Sequence, residues 1–538
     1  MAGDRGYFGS FQIPSPKGVY QAAGDTNISA DYAYTAENMR TERGLLATAY
    51  GTMRDNGKFP PVIYDEEDGE GNTIAVYVEV ETMARFYRRN IPEDPYVYVA
   101  CGGGHIFAYS EAQSTWSKCQ IVDENWNPET NKEKLGFINN RWSYVTYETV
   151  VGEDTVDVLI MSNPDDGMVV LYGTKEGFLT VQRRPLLIGD VDPDTNKPEP
   201  VYFSTLSRHA ERIWGTGDPK HPDTIYYSKP YNPFDWTGAS DENAEMGGGS
   251  IQQPTWDGDS FIALEPFGGY LLAIKPNTIF EIRGTDPTSF AIHEAYGTDG
   301  PVQGKTVCVD RLGMYYLSRA GLGVYDGATL QLLSRDALYE TMRMLNNELN
   351  REEATACVCD HVYYLALCVK ESENDVVYNN NTVIEYDTER RTFMIRKGIK
   401  VKDFFVMDGK IFYTDADPGM GIMQYNHPQA SGYEGNMEPM TSIWETPWLD
   451  LGKAYMKRDF ELRFTADADS DDTPVEFTII TDRREKKRVV LLQRRRKDYR
   501  VKIQNAGVRV KLRVKSYRKV SGWRIYGGVQ VEYSIDEV

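Results

Sequence analysis

The feature that most limits what this chain can fold into is a loose unit that recurs along it. Each copy has a strand, a Gly- or Asn-bearing turn, a Tyr-rich strand and often a closing aromatic. The first is Tyr96-Val97-Tyr98-Val99-Ala100, a turn through Cys101 to Gly104, then His105-Ile106-Phe107-Ala108-Tyr109, closing at Trp116. The second starts at Leu135-Gly136-Phe137-Ile138, turns at Asn139-Asn140 and runs to Leu171-Tyr172. The third joins Arg212-Ile213-Trp214 to Thr224-Ile225-Tyr226-Tyr227 and closes at Trp236. The fourth joins Tyr270–Ile274 to Ile279–Ile282, and the fifth Gly313–Leu317 to Gly323–Gly327. His361–Leu365 with Val383–Asp387 (closing at Phe393), and Lys410–Tyr413 with Ile422–Tyr425, complete the series.

Starts spaced about 40 to 70 residues apart match blades of four strands with variable loops, and seven copies match a common blade number. Sheets set around an axis keep only short, protected edges, and alternating Phe and Tyr pack one blade on the next. The expected fold is therefore mainly β: a β-propeller of about seven blades, with an N-terminal extended arm and a C-terminal β-sandwich. The alternative is two or three β-sandwiches in tandem. The 36 Tyr and 12% aromatic content favour strands. Helical spacing is confined to Arg335–Leu349, through Leu338, Met342, Leu345 and Leu349, and to a short piece near Thr82–Arg89.

At 538 residues the chain needs more than one core. Residues 1–60, with Pro14, Pro16 and many small polar side chains, read as an arm and lining segment, and 61–430 as the propeller. Ser431-Gly432-Tyr433-Glu434-Gly435-Asn436 reads as a boundary. Beyond it, period-2 strands at Phe460–Phe464, Val475–Ile480, Val508–Val514 and Trp523–Tyr533 read as a basic sandwich over 431–538.

Charge is segregated along the chain. Residues 451–538 hold 22 Lys/Arg against 13 Asp/Glu, a balance of +9, and the preceding 450 hold 37 against 67, or −30. The acidic part repels nucleic acid, while the basic end attracts an acidic surface. The plain alternative is that acidity only keeps the protein in solution. The basic run comprises Arg483, Arg484, Lys486, Lys487, Arg488, Arg494, Arg495, Arg496 and Lys497. Nucleic acid is one candidate partner. However, Val489–Gln493 inside the run reads as a strand and stacking aromatics are scarce, so a docking face for an acidic protein is an equal reading.

Catalytic signals are weak. The six His residues are scattered, and no GxSxG, HExxH or phosphate-loop pattern occurs. Gly102-Gly103-Gly104 lies between strands and reads as a hairpin turn. Asp190–Asn196 spaces oxygen ligands as a calcium loop does, but Thr195 stands where Gly is needed and Val201 where a bidentate Glu is. Asp467–Asp471 is similar, and both read as solvated turns. Cys101, Cys119, Cys308, Cys357, Cys359 and Cys368 fall in apparent strands and read as reduced, buried thiols. No apolar run approaches the roughly 20 residues of a membrane helix, and the start lacks a signal-peptide pattern. The expectation is a chain without membrane insertion, cofactor or metal, folded in a cytoplasm and not an enzyme.

Several segments resemble the tail nozzle proteins of tailed bacteriophages, also described as tail-hub or head-completion stabilising proteins. Ala36-Glu37-Asn38-Met39-Arg40-Thr41-Glu42-Arg43-Gly44-Leu45-Leu46, with Tyr50-Gly51, is similar to the family's N-terminal pattern. Tyr226–Trp236, Phe267–Lys275, Ile279–Gly284, Leu317–Gly321, Val324–Gly327 and Trp523–Gly528 follow in the family's order. The resemblance implies a structural virion subunit, a homo-oligomer in a six-fold ring, that closes the tail and conducts DNA during ejection. It implies portal and adaptor proteins, tail fibres or tail-tip proteins as neighbours, a part in host cell attachment, and assembly in the bacterial cytoplasm. Double-stranded DNA would pass without specific binding, since an acidic wall leaves a duplex free to slide. The competing reading is a glycan-binding or glycan-cleaving propeller, which needs paired carboxylates in an aromatic pocket.

Overall fold

Strands with apolar side chains on both faces are stable only where both faces are covered. Every residue of Gly167–Tyr172, Gly313–Ser318 and Gly321–Tyr325 is buried. The computed structural model describes residues 7–22, 28–42, 44–54, 59–67, 72–131, 134–192, 197–295, 299–372, 374–430, 441–452, 455–516 and 522–535. It is a mainly β protein built from several four-stranded antiparallel sheets.

The sheets follow one another in sequence. The first is Thr82–Tyr87, Tyr96–Gly102, His105–Ser110 and Trp116–Lys118. The second is Ser143–Val151, Asp154–Asn163, Gly167–Tyr172 and Thr180–Arg183, extended by Gln120–Val122 in parallel. The third begins at Thr205–His209, the fourth at Ala263–Phe267, the fifth at Cys308–Asp310 and the sixth at Thr355–Cys359. The seventh is Val401–Met407, Lys410–Asp415 and Ile422–Gln424.

First strands touch in cyclic order from the second sheet to the seventh, and Val401–Met407 touches Thr82–Tyr87 of the first. Thr82–Tyr87 in turn touches Asp154–Asn163 of the second. Apolar cores lie between neighbours: Val97, Val99 and Ile106 meet Leu159, Met161 and Leu171. Tyr98, Ala100 and Phe107 of the first sheet meet Phe405, Met407 and Phe412 of the seventh. Phe59 wedges into that last core, with ring centroids 4.8 Å from Tyr98 and 5.8 Å from Phe412.

The seventh sheet, three strands by itself, is completed from the other end of the sequence. Gln424 N–H donates to Met53 O at 2.8 Å, His427 N–H to Gly51 O at 3.0 Å, and Gly51 N–H to Ala430 O at 2.7 Å. The Arg54 guanidinium donates to Gly419 O at 2.7 Å, and buried Arg396 to Tyr50 O at 2.9 Å. The Met53–Gln424 bridge caps part of an edge that would otherwise be open.

The first 60 residues also enter the terminal sheets. Tyr7–Ile13 and Leu45–Thr48 pair with Trp523–Ile535, which pairs with Lys457–Ala468 and then Lys497–Gly507. Opposite lies a second sheet, Thr35–Glu37, Ile443–Glu445, Val510–Ser516, Thr473–Thr481 and Glu485–Leu492. Through Glu37↔Ile395 that sheet is continuous with the sixth sheet of the body. Trp444, Phe477 and Trp523 consequently share one core with Tyr363 and Leu365. The boundary expected at Ser431–Asn436 lies outside the described residues.

Two helix expectations are corrected. Thr82–Tyr87 is a strand: its backbone pairs along Tyr96–Cys101, and tertiary pairing overrides the apolar spacing. Arg335–Leu349 is broken into Ser334–Ala337, Tyr339–Arg343 and Asn347–Glu353. The first break falls at Leu338, fully buried in the core, whose φ of −123° and ψ of 36° are not helical, and the second ends at Asn346, with ψ of 85°. Leu135–Ile138 is not a strand, and the second sheet begins at Ser143.

Candidate functional site

Polar side chains on the first strands point where those strands converge. They line a cavity of 510 Å³ to which the second through seventh sheets, or the turns leading into them, contribute Tyr144, Thr205, Glu265, Lys305, Thr355 and Asp403. Sequence reading missed this set, because each strand supplies only one or two members and no spacing connects them.

Its charges are locked to one another. Asp403 accepts from Met83 N–H at 3.1 Å and Thr355 Oγ1 at 3.2 Å, and lies 3.6 Å from Lys305 Nζ. Lys305 Nζ also donates to Glu81 O at 3.1 Å and Thr82 Oγ1 at 3.2 Å. Burial pulls the Lys305 amine down, and the Asp403 charge opposes that pull. Arg141 pairs with Glu353 at 3.2 Å, and Lys402 with Glu79 at 2.8 Å and Glu353 at 3.0 Å.

Glu265 is different. Among the described residues it has no ion pair, and burial pushes its carboxyl up to about 8. It is therefore mostly neutral at pH 7. Glycoside cleavage needs two carboxyls about 5–9 Å apart, one free to act as acid and one as base or nucleophile. Here the second cavity carboxylate, Asp403, is tied to a backbone amide, a hydroxyl and an amine.

The basic run lies elsewhere, on the terminal sheets. Glu485–Leu492 pairs on one side with Thr473–Thr481, and Lys497–Gly507 on one side with Lys457–Ala468. Each ends its sheet. Arg483, Arg484, Lys486, Lys487 and Arg488 are exposed on or beside the first, and Arg494, Arg495, Arg496 and Lys497 are exposed at the turn between the two. Lys487 pairs with Glu476 at 3.0 Å, Arg484 Nε donates to Asn505 at 3.0 Å, and Arg496 stacks over Tyr526 at 3.8 Å. Val489 and Leu491, 45% and 52% exposed, stand among these charges.

Among the described residues the acidic loops gather no ligand set. Asp467 is occupied by Arg524 at 2.7 Å and Tyr526 at 2.7 Å, and Asp471 caps Arg494 N–H at 2.9 Å. Residues 193–196 of the other loop lie outside the described residues. Among the described residues no cluster of His, Cys, Asp and Glu fits a metal ion, and no helix is long and apolar enough to cross a membrane. The thiols are free; Cys308 is half-buried, the other five are buried, and burial pushes Cys119 up to about 12.

No family model matches the chain, and no curated protein matches it. Solved structures overlap it loosely. BBS1N in complex with ARL6DN is 10% identical, over 71% of this chain and 98% of that one, at a TM-score of 0.30. An AfRom2 CNH domain is 12% identical over 53% and 93%, at 0.25. An exo-beta-1,3-galactanase from Phanerochaete chrysosporium is 9% identical over 88% and 100%, at 0.25. Similarity at this level says nothing of what the chain binds.

Proposed function

We propose that the chain is a structural subunit, a seven-bladed β-propeller carrying a basic β-sandwich, that assembles into a ring of the tail-nozzle kind and lets DNA pass. The contacts between successive first strands, the cores between neighbouring sheets and the bridge from Met53 to Gln424 support the propeller.

The observation that carries the functional reading is the segregation of charge onto distinct surfaces. Residues 1–450, of net −30, offer phosphate little footing, while the +9 end carries its cations on strands that end their sheets. Such edges fit a protein neighbour. The locked ion pairs of the cavity support a braced axis over a catalytic one. The glycan reading keeps one observation in its favour, Glu265, which lines the same cavity as Tyr144 and has no ion pair among the described residues.

Electron microscopy of the purified protein, and of particles that contain it, tests the proposal. A closed ring of subunits at the base of a tail is the expected image. A monomer that releases sugar from oligosaccharides, with activity lost in Glu265→Gln, would overturn it.

A further inference from the structure

A second concave site lies away from the cavity. Ser143–Val151 enters the cavity with Tyr144, and about 20 Å further along the strand its Val150 and Val151 wall a groove of 600 Å³. The second sheet and its loops supply Trp126, Tyr172 and Arg184 to this groove. The loop after Thr224–Tyr227 of the third sheet supplies Tyr231, Asn232 and Phe234.

Two of its aromatic rings are held out in water by strained backbone. A non-glycine residue at positive φ is uncommon, and a bulky one is an outlier. Among the described residues the only Phe, Tyr or Trp in that region are Phe59, Trp126 and Tyr231, at φ of 53°, 66° and 61°. Burial repays the strain at Phe59. Trp126 and Tyr231 are 48% and 70% exposed, and both line the groove. Outliers of this kind gather at ligand clamps. Both loops are fixed: Asp123 caps the N–H groups of Asn125 and Asn127 at 2.8 Å on either side of Trp126, and Tyr231 N–H donates to Glu211 O at 3.1 Å.

The rest of the lining is polar and equally fixed. Buried Tyr172 lies 5.0 Å from the Trp126 ring, donates its hydroxyl to Gln182 Oε1 at 2.8 Å and accepts from Arg184 Nη1 at 3.3 Å. The Arg184 guanidinium stacks over Phe234 at 4.1 Å and has no ion pair among the described residues. Asp235, also in the lining, is neutralised by Lys229 at 2.7 Å. Asn232 Oδ1 accepts from Phe234 N–H at 3.2 Å, which leaves its exposed amide to donate.

Exposed rings with fixed donors beside them fit a ligand that has an apolar face and a polar rim. A sugar ring is such a ligand. Its C–H face is attracted to the negative face of an aromatic ring, and its hydroxyls match a guanidinium fork and an amide. The volume lies within the roughly 300–1,000 Å³ of small-ligand sites. Nucleic-acid bases also stack on such rings, but residues 1–450, of net −30, repel a polyanion. We infer that this groove binds a neutral oligosaccharide, with Trp126 and Tyr231 stacking on sugar rings and Arg184 and Asn232 donating to hydroxyls. A ring subunit can hold a sugar without cleaving it, so the inference goes beyond the ring reading and does not rest on it.

Binding of the full chain to an array of neutral and acidic oligosaccharides, followed by isothermal titration with the strongest neutral binder, provides the test. The wild type should capture at least one neutral glycan. Trp126→Ala and Tyr231→Ala should each weaken that binding by about tenfold or more. Trp126→Tyr, which keeps a ring, should weaken it less. Circular dichroism of each variant checks that it is folded. Capture of no glycan, or of acidic ones alone, overturns the inference, as does binding that survives both ring deletions. Binding lost in Glu265→Gln and kept in the groove variants would place the sugar in the cavity and also overturn it. If the ring deletions instead weaken self-association in sedimentation velocity while the wild type captures no glycan, the groove is a contact between copies and the inference fails. The ring reading is tested by microscopy of the assembly, so each of these failures leaves it standing.

Discussion

The seven-sheet body and the terminal sandwich meet the same problem, open sheet edges, in opposite ways. In the body, Met53 bridges to Gln424 on the last sheet, and cores such as Tyr98–Phe412 cover sheet faces in succession. In the sandwich, Glu485–Leu492 and Lys497–Gly507 each end a sheet, lie side by side with Arg488 donating to Lys502 O, and carry exposed Lys and Arg. Charge on an edge prevents indiscriminate pairing while leaving a specific partner free to match it. The difference teaches that the body protects its sheets by packing face on face, whereas the ends protect theirs with charge.

The comparison breaks first if the two regions fold independently. Trp444 is 1% exposed in a core that contains Tyr363 of the sixth sheet and Phe477 of the sandwich. Trp444→Ala should cost about 3–5 kcal/mol, the range for deleting a buried aromatic. Because the core is shared, body and sandwich should unfold in one transition. Urea unfolding followed by tryptophan fluorescence and far-ultraviolet circular dichroism checks this, and separate midpoints for the two probes would show two independent units.

A smaller loss is expected at the joint itself. Asn38 is buried at a φ of 54°, a conformation Asn tolerates better than most residues. Its side chain accepts from Lys397 N–H at 3.0 Å and donates to Thr441 O at 2.9 Å, while its own N–H donates to Ile395 O at 2.9 Å. One residue thus ties the N-terminal strands, the sixth sheet and the sandwich. Asn38→Ala leaves a donor and an acceptor unsatisfied and should cost about 2–4 kcal/mol. Thermal melts of the pair of proteins measure it, and a change below about 0.5 kcal/mol would mean the joint is held by packing alone.

Much of this architecture was legible in the sequence, and the legible part has a physical character. Strands two and three of each unit, such as Gly313–Leu317 with Gly323–Gly327, are buried on both faces and read as continuous apolar runs. First strands did not read so clearly. Thr82–Tyr87 resembles a helix until Tyr96–Gly102 pairs with it, and Ser143–Val151 alternates without a strong apolar run. Contacts made across the whole chain left no local trace at all: Met53 with Gln424, Gly9 with Tyr533, Glu37 with Ile395. The basic edge was visible as a run of residues, whereas the cavity was not, since its members are drawn singly from strands far apart in sequence.

The subtlest test contrasts a charge in the axis with the charges on the edges. Exposed cations such as Lys486 and Arg494 cost the fold little, because water solvates them. Glu265, by contrast, lines the cavity without an ion pair among the described residues, and burial raises its carboxyl to about 8. A group whose folded pKa lies above its unfolded one holds more protons when folded, so its contribution to stability falls as pH rises through that window. Below about pH 4.5 the acid is neutral in both states and costs nothing; the penalty grows toward pH 8. Glu265→Gln keeps the shape and removes the titration. It should match the wild type at pH 4 and exceed it by about 2 kcal/mol at pH 8, a figure discounted for solvent in the cavity. Melting temperatures of the two proteins across that range decide the matter. A constant offset at every pH would mean that Glu265 stays solvated and that the cavity is open to water.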